Sequence, residues 1–425
     1  MTKQQEFLFM VRFKKYILLG LLLGLANASL KAQEPLKGLD YFIAEALKRS
    51  PLLKDLDGQQ RAVRIDSMQV KAGYLPQVTA TSSGMYAPVV HGYGYDAVIT
   101  NGQALDALLN VNYNLFGAKS KSNQLQAIAL QADSIRLASR LGVLDIRRTM
   151  GEQYINAFSS QQQAQFNKDV YQLLDREEKL LKKLTQANVY KLVDYLTFLV
   201  TFKQQHLQWK QAEFQFKSDY SMLNYLAGIV DTATHILDDP DFQPPNIRVD
   251  KNIFFRKLDL DSGRISNRKA AIAFQYKPKI GLYGNSGFNS SLLFQPYKNW
   301  GASVGFTLSI PIYDGHQKQM LYNRIAIEQQ TAIANKSFFK DQYTQQLNLL
   351  KQQIQDQGTL YQKIKEQIKF SKSLIDVNHK LLQTGDIRIA DFVIAINNYL
   401  SAQNLLRQTN INRLKLINQL NYWNR

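Results

Sequence analysis

The sequence contains no cysteine. Disulfide staples, thiolate metal sites and a lipid-carrying N-terminal cysteine are all excluded, so stability must come from packing or assembly. Proline is scarce at ten residues, and none falls between Ala118 and Leu184 or between Gly315 and Gln383. Beyond residue 32, no apolar run reaches the roughly 20 residues that a membrane-spanning helix needs. Acid is in short supply as well: 34 Asp and Glu stand against 52 Lys and Arg, a formal charge of +18. The five histidines, His91, His206, His235, His316 and His379, are scattered, and none pairs with an acid or another histidine at metal-ligand spacing. No phosphate loop and no G-x-S-x-G elbow occurs. The acidic turn "DLDSG" near Asp259 lacks the remaining ligands of a calcium loop. These residues point to no catalytic, metal or cofactor site.

What the chain does have begins at its start. "VRFKKYILLGLLLGLANASLKAQEP" joins a basic start, a short apolar run and small residues at Ala26, Ala28 and Ala32. That is the pattern of a secretory signal over residues 1–32, cleaved after Ala28 or Ala32. Removing it lowers the charge by only four, to +14. An exported chain of that charge meets acidic lipid head groups rather than nucleic acid.

The rest of the chain is written twice. "NVYKLVDYLTF" (188–198) aligns with "GDIRIADFVIA" (385–395), and the same offset carries Leu223-Asn224-Tyr225 onto Leu420-Asn421-Tyr422. Upstream, "SPLLKDLD" (50–57) matches "NIFFRKLD" (252–259), and "YLPQV" (74–78) matches "YKPKI" (276–280). A unit of about 200 residues therefore repeats, at 33–239 and 240–425, with Pro240, Pro244 and Pro245 marking the junction. Each copy reads as a helix stopped by the proline of "YLP" or "YKP", two strands, a long helix, a tight turn and a second helix.

Strands are expected at residues 77–90, 104–116, 279–290 and 300–313. The second of each pair alternates most strictly. Leu105, Ala107, Leu109, Val111, Tyr113 and Leu115 alternate with residues that are polar apart from Leu108. Trp300, Ala302, Val304, Phe306, Leu308, Ile310 and Ile312 alternate with Gly, Ser, Thr and Pro. Alternation this long suits a tilted strand with lipid on one side and water on the other. Four strands cannot close a barrel, so closure requires several copies.

The proline-free runs are long enough for helices on the order of 100 Å. Tyr195, Phe202, Trp209, Phe216 and Leu223 recur every seven residues, as do Ile354, Tyr361, Ile368, Ile375 and Leu382. A heptad repeat predicts helices packed side by side, knobs into holes. The hairpin turns fall at Asn188 and Gly385, both residue types that accept the left-handed conformation ending a helix.

In this order, and doubled, "YLP", the amphipathic strands, "IPIYDG" and "TGDIRIAD" resemble the TolC family of outer-membrane efflux ducts over essentially the whole chain after the leader. The resemblance implies a mixed α and β membrane protein. Each protomer of a homotrimer would give four strands to a transmembrane β-barrel in outer-membrane lipid and its helices to a coiled-coil tunnel across the periplasm. It implies a passive duct for efflux or type I secretion, not an enzyme, working with a periplasmic adaptor and an inner-membrane pump. By the motif match, Asp391 is the pore-constriction aspartate and Asp194 the acidic latch between hairpins, with Asn188, Gly385 and Arg388 at the tips. The chain departs from the family at Ile394, where a second aspartate is common, and at Leu382 and Ile387, where the latch tyrosine and arginine are expected. Both aspartates also fall in the first turns of helices, where a carboxylate meets the positive end of the dipole. A soluble periplasmic coiled-coil adaptor is the alternative reading, and it would have one hairpin and no lipid-facing strands.

Overall fold

The computed structural model describes residues 37–100, 102–115, 117–245, 252–292 and 295–424, so the leader at 1–32 lies outside the described residues. Helices α1 (Leu39–Arg49) and α2 (Pro51–Gly73) come first. Ser50 separates them: its hydroxyl accepts from the Leu53 N–H at 3.4 Å, and Pro51 occupies the first helical position, where its missing N–H costs nothing. α2 ends ahead of Leu75-Pro76, because a proline disfavours helical geometry in the residue before it. Then come β1 (Gln77–Tyr86), a one-turn helix α3 (Ala97–Thr100), β2 (Gln103–Leu115), α4 (Ala118–Gln186) and α5 (Leu192–Ala227). The second half runs α6 (Ile253–Gln275), β3 (Lys279–Ser290), a 3-10 turn at Pro296–Lys298, β4 (Trp300–Ser309), α7 (Gln317–Thr384) and α8 (Ile389–Trp423). Asn252, which matches Ser50 in the self-comparison, caps α6 as Ser50 caps α2, accepting from the Phe254 N–H at 2.9 Å.

Two strands are shorter than expected. β1 stops at Tyr86 instead of 90: Pro88 has no N–H to donate, and Val90 and Tyr93 bond each other in a turn of their own. β4 stops at Ser309 instead of 313, with Pro311 ending the ladder. Among the described residues, no helix is long and apolar enough to cross a membrane.

The chain forms two compact units. They do not coincide with the halves read from the sequence. The first unit holds residues 37–44 and 153–241. Its centre is aromatic: Phe42 meets Tyr154 and Tyr220 at ring separations of 6.0 and 6.1 Å. The Tyr154 hydroxyl lies 2.8 Å from the Asp238 carbonyl and 3.3 Å from that of Lys37. Burial is the main reason its phenol titrates far above the usual tyrosine value. Along α5, Phe198, Phe202, Gln205, Ala212 and Leu223 are buried between half-buried Tyr195, Trp209 and Phe216, following the heptad. Amides zip this seam to α4: Gln205 Nε2 donates to the Asn167 carbonyl and Asn167 Nδ2 to the Gln208 carbonyl, each at 3.2 Å. Each large apolar side chain removed from water along such a seam contributes about 1.5–3 kcal/mol.

The second unit holds residues 45–152 and 242–424. On α7, the positions that face α8 follow each other at alternating steps of four and three: Tyr343, Leu347, Leu350, Ile354, Gln357 and Tyr361, then Ile364 onward to Leu382. That is the seven-residue seam of a coiled coil. Its upper end is a cluster of Tyr343, Leu347, Leu350 and Leu420 backed by Phe255, Phe339 and Trp423. Asn252 Nδ2 ties the cluster together, donating to the Tyr343 hydroxyl and the Trp423 carbonyl, each at 2.6 Å. Asn123 and Asn267 exchange side-chain bonds to each other's carbonyls at 3.1 and 3.0 Å, joining α4 to α6. The sheet also belongs to this unit.

Candidate functional site: a two-faced sheet and two hairpin tips

The four strands make one antiparallel sheet in the order β1-β2-β3-β4. The register puts Val78, Val111, Gly284 and Val304 in one row, and Ala80, Leu109, Ser286 and Ala302 in the next on the same face. Tyr113, Leu282 and Phe306 continue that face. It is apolar and open: Val304 is 91 % exposed, and Phe306, Leu308 and Leu109 are exposed as well. The other face is polar and bonded across strands. Asn110 Nδ2 donates to Thr81 Oγ1 and Ser303 Oγ to Asn285 Oδ1, each at 2.8 Å, while Ser83 donates to the Asp106 carboxylate through both its N–H (3.1 Å) and its hydroxyl. A soluble sheet buries its apolar face. This one presents it outward and satisfies its polar groups on the opposite face, the arrangement of a membrane strand. β1 and β4 are both edges, each with an unpaired row of backbone groups.

Strand passes to helix at "YDGHQK". Gly315 (φ 64°) and His316 (φ 65°) turn the chain. Asp314 Oδ2 then accepts from the Lys318 N–H at 2.7 Å, which holds its carboxyl below the usual aspartate value. The Lys318 ammonium lies 5.6 Å from the Tyr276 ring centre. In the first half Tyr74 takes the equivalent place, donating to Ser120 Oγ at 3.2 Å beneath Lys121.

The hairpin tips are built alike. α4 ends on Asn188 (φ 60°) and α7 on Gly385 (φ 82°), both left-handed. In each, the next N–H reaches back five residues to close the turn: Val189 to the Leu184 carbonyl at 2.9 Å, Asp386 to that of Leu381 at 3.0 Å. A cation then sits at each helix N-cap, Lys191 before α5 and Arg388 before α8. Three residues on, in the first turn, stand Asp194 and Asp391, whose N–H groups bond the cap carbonyls at 3.1 and 3.0 Å. Here the tips diverge. Arg388 grips Asp391 with both ends of its fork, Nε to Oδ2 at 2.9 Å and Nη2 to Oδ1 at 3.0 Å. The carboxylate raises the guanidinium's pKa further, so it stays charged. Leu382 is fully buried in the α7/α8 seam, Ile387 is half-buried, and Ile394 is exposed.

Two features of the tips escaped the sequence reading. Tyr195 donates to Glu178 Oε1 at 2.6 Å across the α4/α5 turn, and that bond holds its phenol above the usual value. Glu178 stands ten residues before Asn188 and Tyr195 seven after it, and no sequence pattern pointed to their pairing. Lys191 was missed as the counterpart of Arg388, although the constant repeat offset pairs them. Among the described residues, no group of three or more His, Cys, Asp or Glu is placed to hold a metal ion.

No family model and no curated protein matches this sequence. Solved structures do match its fold. The structure of CusC, described as forming a transmembrane channel, superposes with a TM-score of 0.76 at 14 % identity, over 91 % of each chain. The outer membrane protein VceC from Vibrio cholerae gives 0.74 at 14 % identity, over 91 % of this chain and 96 % of that one. The open state of the MtrE outer membrane channel from Neisseria gonorrhoeae gives 0.72 at 14 % identity, over 91 % and 88 %. The chain has the fold of these outer-membrane channels, as the resemblance to the TolC family implied.

Proposed function

We propose that this chain, which shares the fold of outer-membrane channels, is one protomer of a trimeric outer-membrane duct. It conducts small molecules or proteins passively out of the cell by efflux or type I secretion, and it does no enzymatic chemistry. The sheet carries this reading. Its apolar face suits outer-membrane lipid, its polar face suits water, and its two open edges suit closure by further copies of the same four strands. The alternative, a soluble periplasmic adaptor, leaves that apolar face without a role. In this reading 1–32 is the cleaved export signal, and the repeats at 33–239 and 240–425 supply two strands and one hairpin each. The partners are a periplasmic adaptor and an inner-membrane pump that supplies the energy. Asp391 lines the inner constriction beside Gly385 and Arg388, while Asp194, beside Asn188, latches neighbouring hairpins.

A second heptad on α5 supports the trimer. Val193, Val200, Leu207 and Phe214 recur every seven residues on a face turned away from the α4 seam, and each is 63–66 % exposed in the single chain. Phe370, Leu374, Val377 and Leu381 form a comparable open stripe on α7. A helix with two apolar seams has neighbours on two sides, as in a closed ring of helices. Native mass measurement in detergent tests the reading and should give a trimer. Val200→Asp with Leu207→Asp should keep the helical circular-dichroism signal and lose the trimer, since these side chains contribute nothing to the core of the single chain. A monodisperse monomer of the unaltered protein would overturn the proposal.

A further inference from the structure

We propose that Arg388 is a built-in counter-ion for Asp391, so that the constriction carries paired charges and not a ring of bare carboxylates. The inference rests on the reading of the α7/α8 tip as the duct's narrow end. The pairing follows from local geometry. Arg388 is the N-cap of α8 and Asp391 lies three residues on, so the first helical turn sets the two side chains side by side. The planar fork of arginine matches a carboxylate at two points, and both contacts form, at 2.9 and 3.0 Å. A single exposed pair of this kind adds little stability. Its effect lies in the field: three such pairs around an axis present dipoles to an entering ion where three free carboxylates would present three negative charges.

The neighbouring positions carry charge unevenly. One turn beyond Asp391 the chain has Ile394, which carries none. In the α4/α5 tip the equivalent cation is Lys191, a point donor without arginine's fork, and among the described residues it forms no ion pair with Asp194. Asp386, exposed in the α7/α8 turn, likewise has no ion-pair partner among the described residues. It is the carboxylate left free at that tip.

Zero-current potentials of the purified protein in planar bilayers, measured across a KCl gradient, test the pairing. Arg388→Gln unmasks Asp391 and should raise the cation-to-anion permeability ratio roughly threefold, the scale of one charge acting at a few ångströms through water. Asp391→Asn leaves Arg388 uncompensated and should lower the ratio by a similar factor. The double variant should return close to the unaltered protein, because it removes a neutral pair. Trimer yield should stay constant throughout, since Arg388 is 82 % exposed and Asp391 38 % exposed. An unchanged ratio in Arg388→Gln, together with a lowered one in Asp391→Asn, would overturn the counter-ion. If all three variants conduct with the ratio of the unaltered protein, the tip is not the narrow end and the proposal falls with that reading. If the unaltered protein shows no conductance at all, the duct reading itself fails.

Discussion

Val304→Arg tests the assignment of the two sheet faces most directly. Val304 lies at the middle of β4, in one row with Val78, Val111 and Gly284. The strand's ten residues span about 34 Å at 3.4 Å each, or about 24 Å once tilted near 45°, which matches the apolar band of an outer-membrane barrel. Val304 therefore falls near mid-membrane, where an arginine facing lipid costs about 2–4 kcal/mol. A trimer carries the substitution three times, so assembly should lose about 6–12 kcal/mol, comparable to the entire stability of a typical domain. Ser303→Arg moves one residue along and changes phase. It breaks the 2.8 Å bond from Ser303 Oγ to Asn285 Oδ1, worth about 1 kcal/mol, and its guanidinium reaches water on the polar face. Both variants, with Leu109→Arg and Asn110→Arg as the matching pair on β2, should be scored by assembled trimer in the outer-membrane fraction. The expected result is near-complete loss for Val304→Arg and Leu109→Arg and a mild effect for the other two. Equal losses on both phases would refute the assignment of faces.

The central strand pairing and the strand-to-helix junction give two further tests. Gly287 has φ 156°, and a Cβ there would stand 2.1 Å from the Ala107 carbonyl oxygen. Gly287→Ala should therefore cost about 3 kcal/mol and weaken the β2–β3 pairing in urea unfolding, whereas Gly301→Ala, with no atom within 4 Å, should be neutral. Asp314 is held below the usual carboxyl value of 3.8, so its contribution is present above that pH and is lost as pH falls through the lower, folded value. Asp314→Ala should accordingly melt earlier than the unaltered protein at pH 7, and the gap should close as the pH is taken well below 3.8.

The sequence by itself determined whatever depends on local period and local backbone. Alternation at Leu105–Leu115 and from Trp300 assigned the apolar face of each strand, because successive side chains of a strand point to opposite sides wherever the strand lies. The heptads beginning at Tyr195 and at Ile354 assigned the buried seam of each hairpin for the same kind of reason. Asn188 and Gly385 marked the turns, since few residues tolerate positive φ. The tips were legible only as residue types: Asp194 and Asp391 could be matched to a motif, but neither could be shown to have or lack a partner. Tertiary structure decided the contacts between distant segments. β2 pairs with β3 across the two halves in a register that sets Leu108 opposite Gly287 and the Ala107 carbonyl close against it, and only that register makes the glycine indispensable. Asn123 and Asn267 found each other over 144 residues, and Asn252 found Tyr343 and Trp423. The compact units cut across both repeats, because packing follows which surfaces meet and not the order in which they were written. Arg388 and Asp391 stand three residues apart and pair within one helical turn, yet spacing alone did not reveal the pair. Lys191 and Asp194 have the same spacing at the other tip and, among the described residues, form no ion pair. Spacing offers a contact, and the shape of the side chains and the groups around them decide whether it forms.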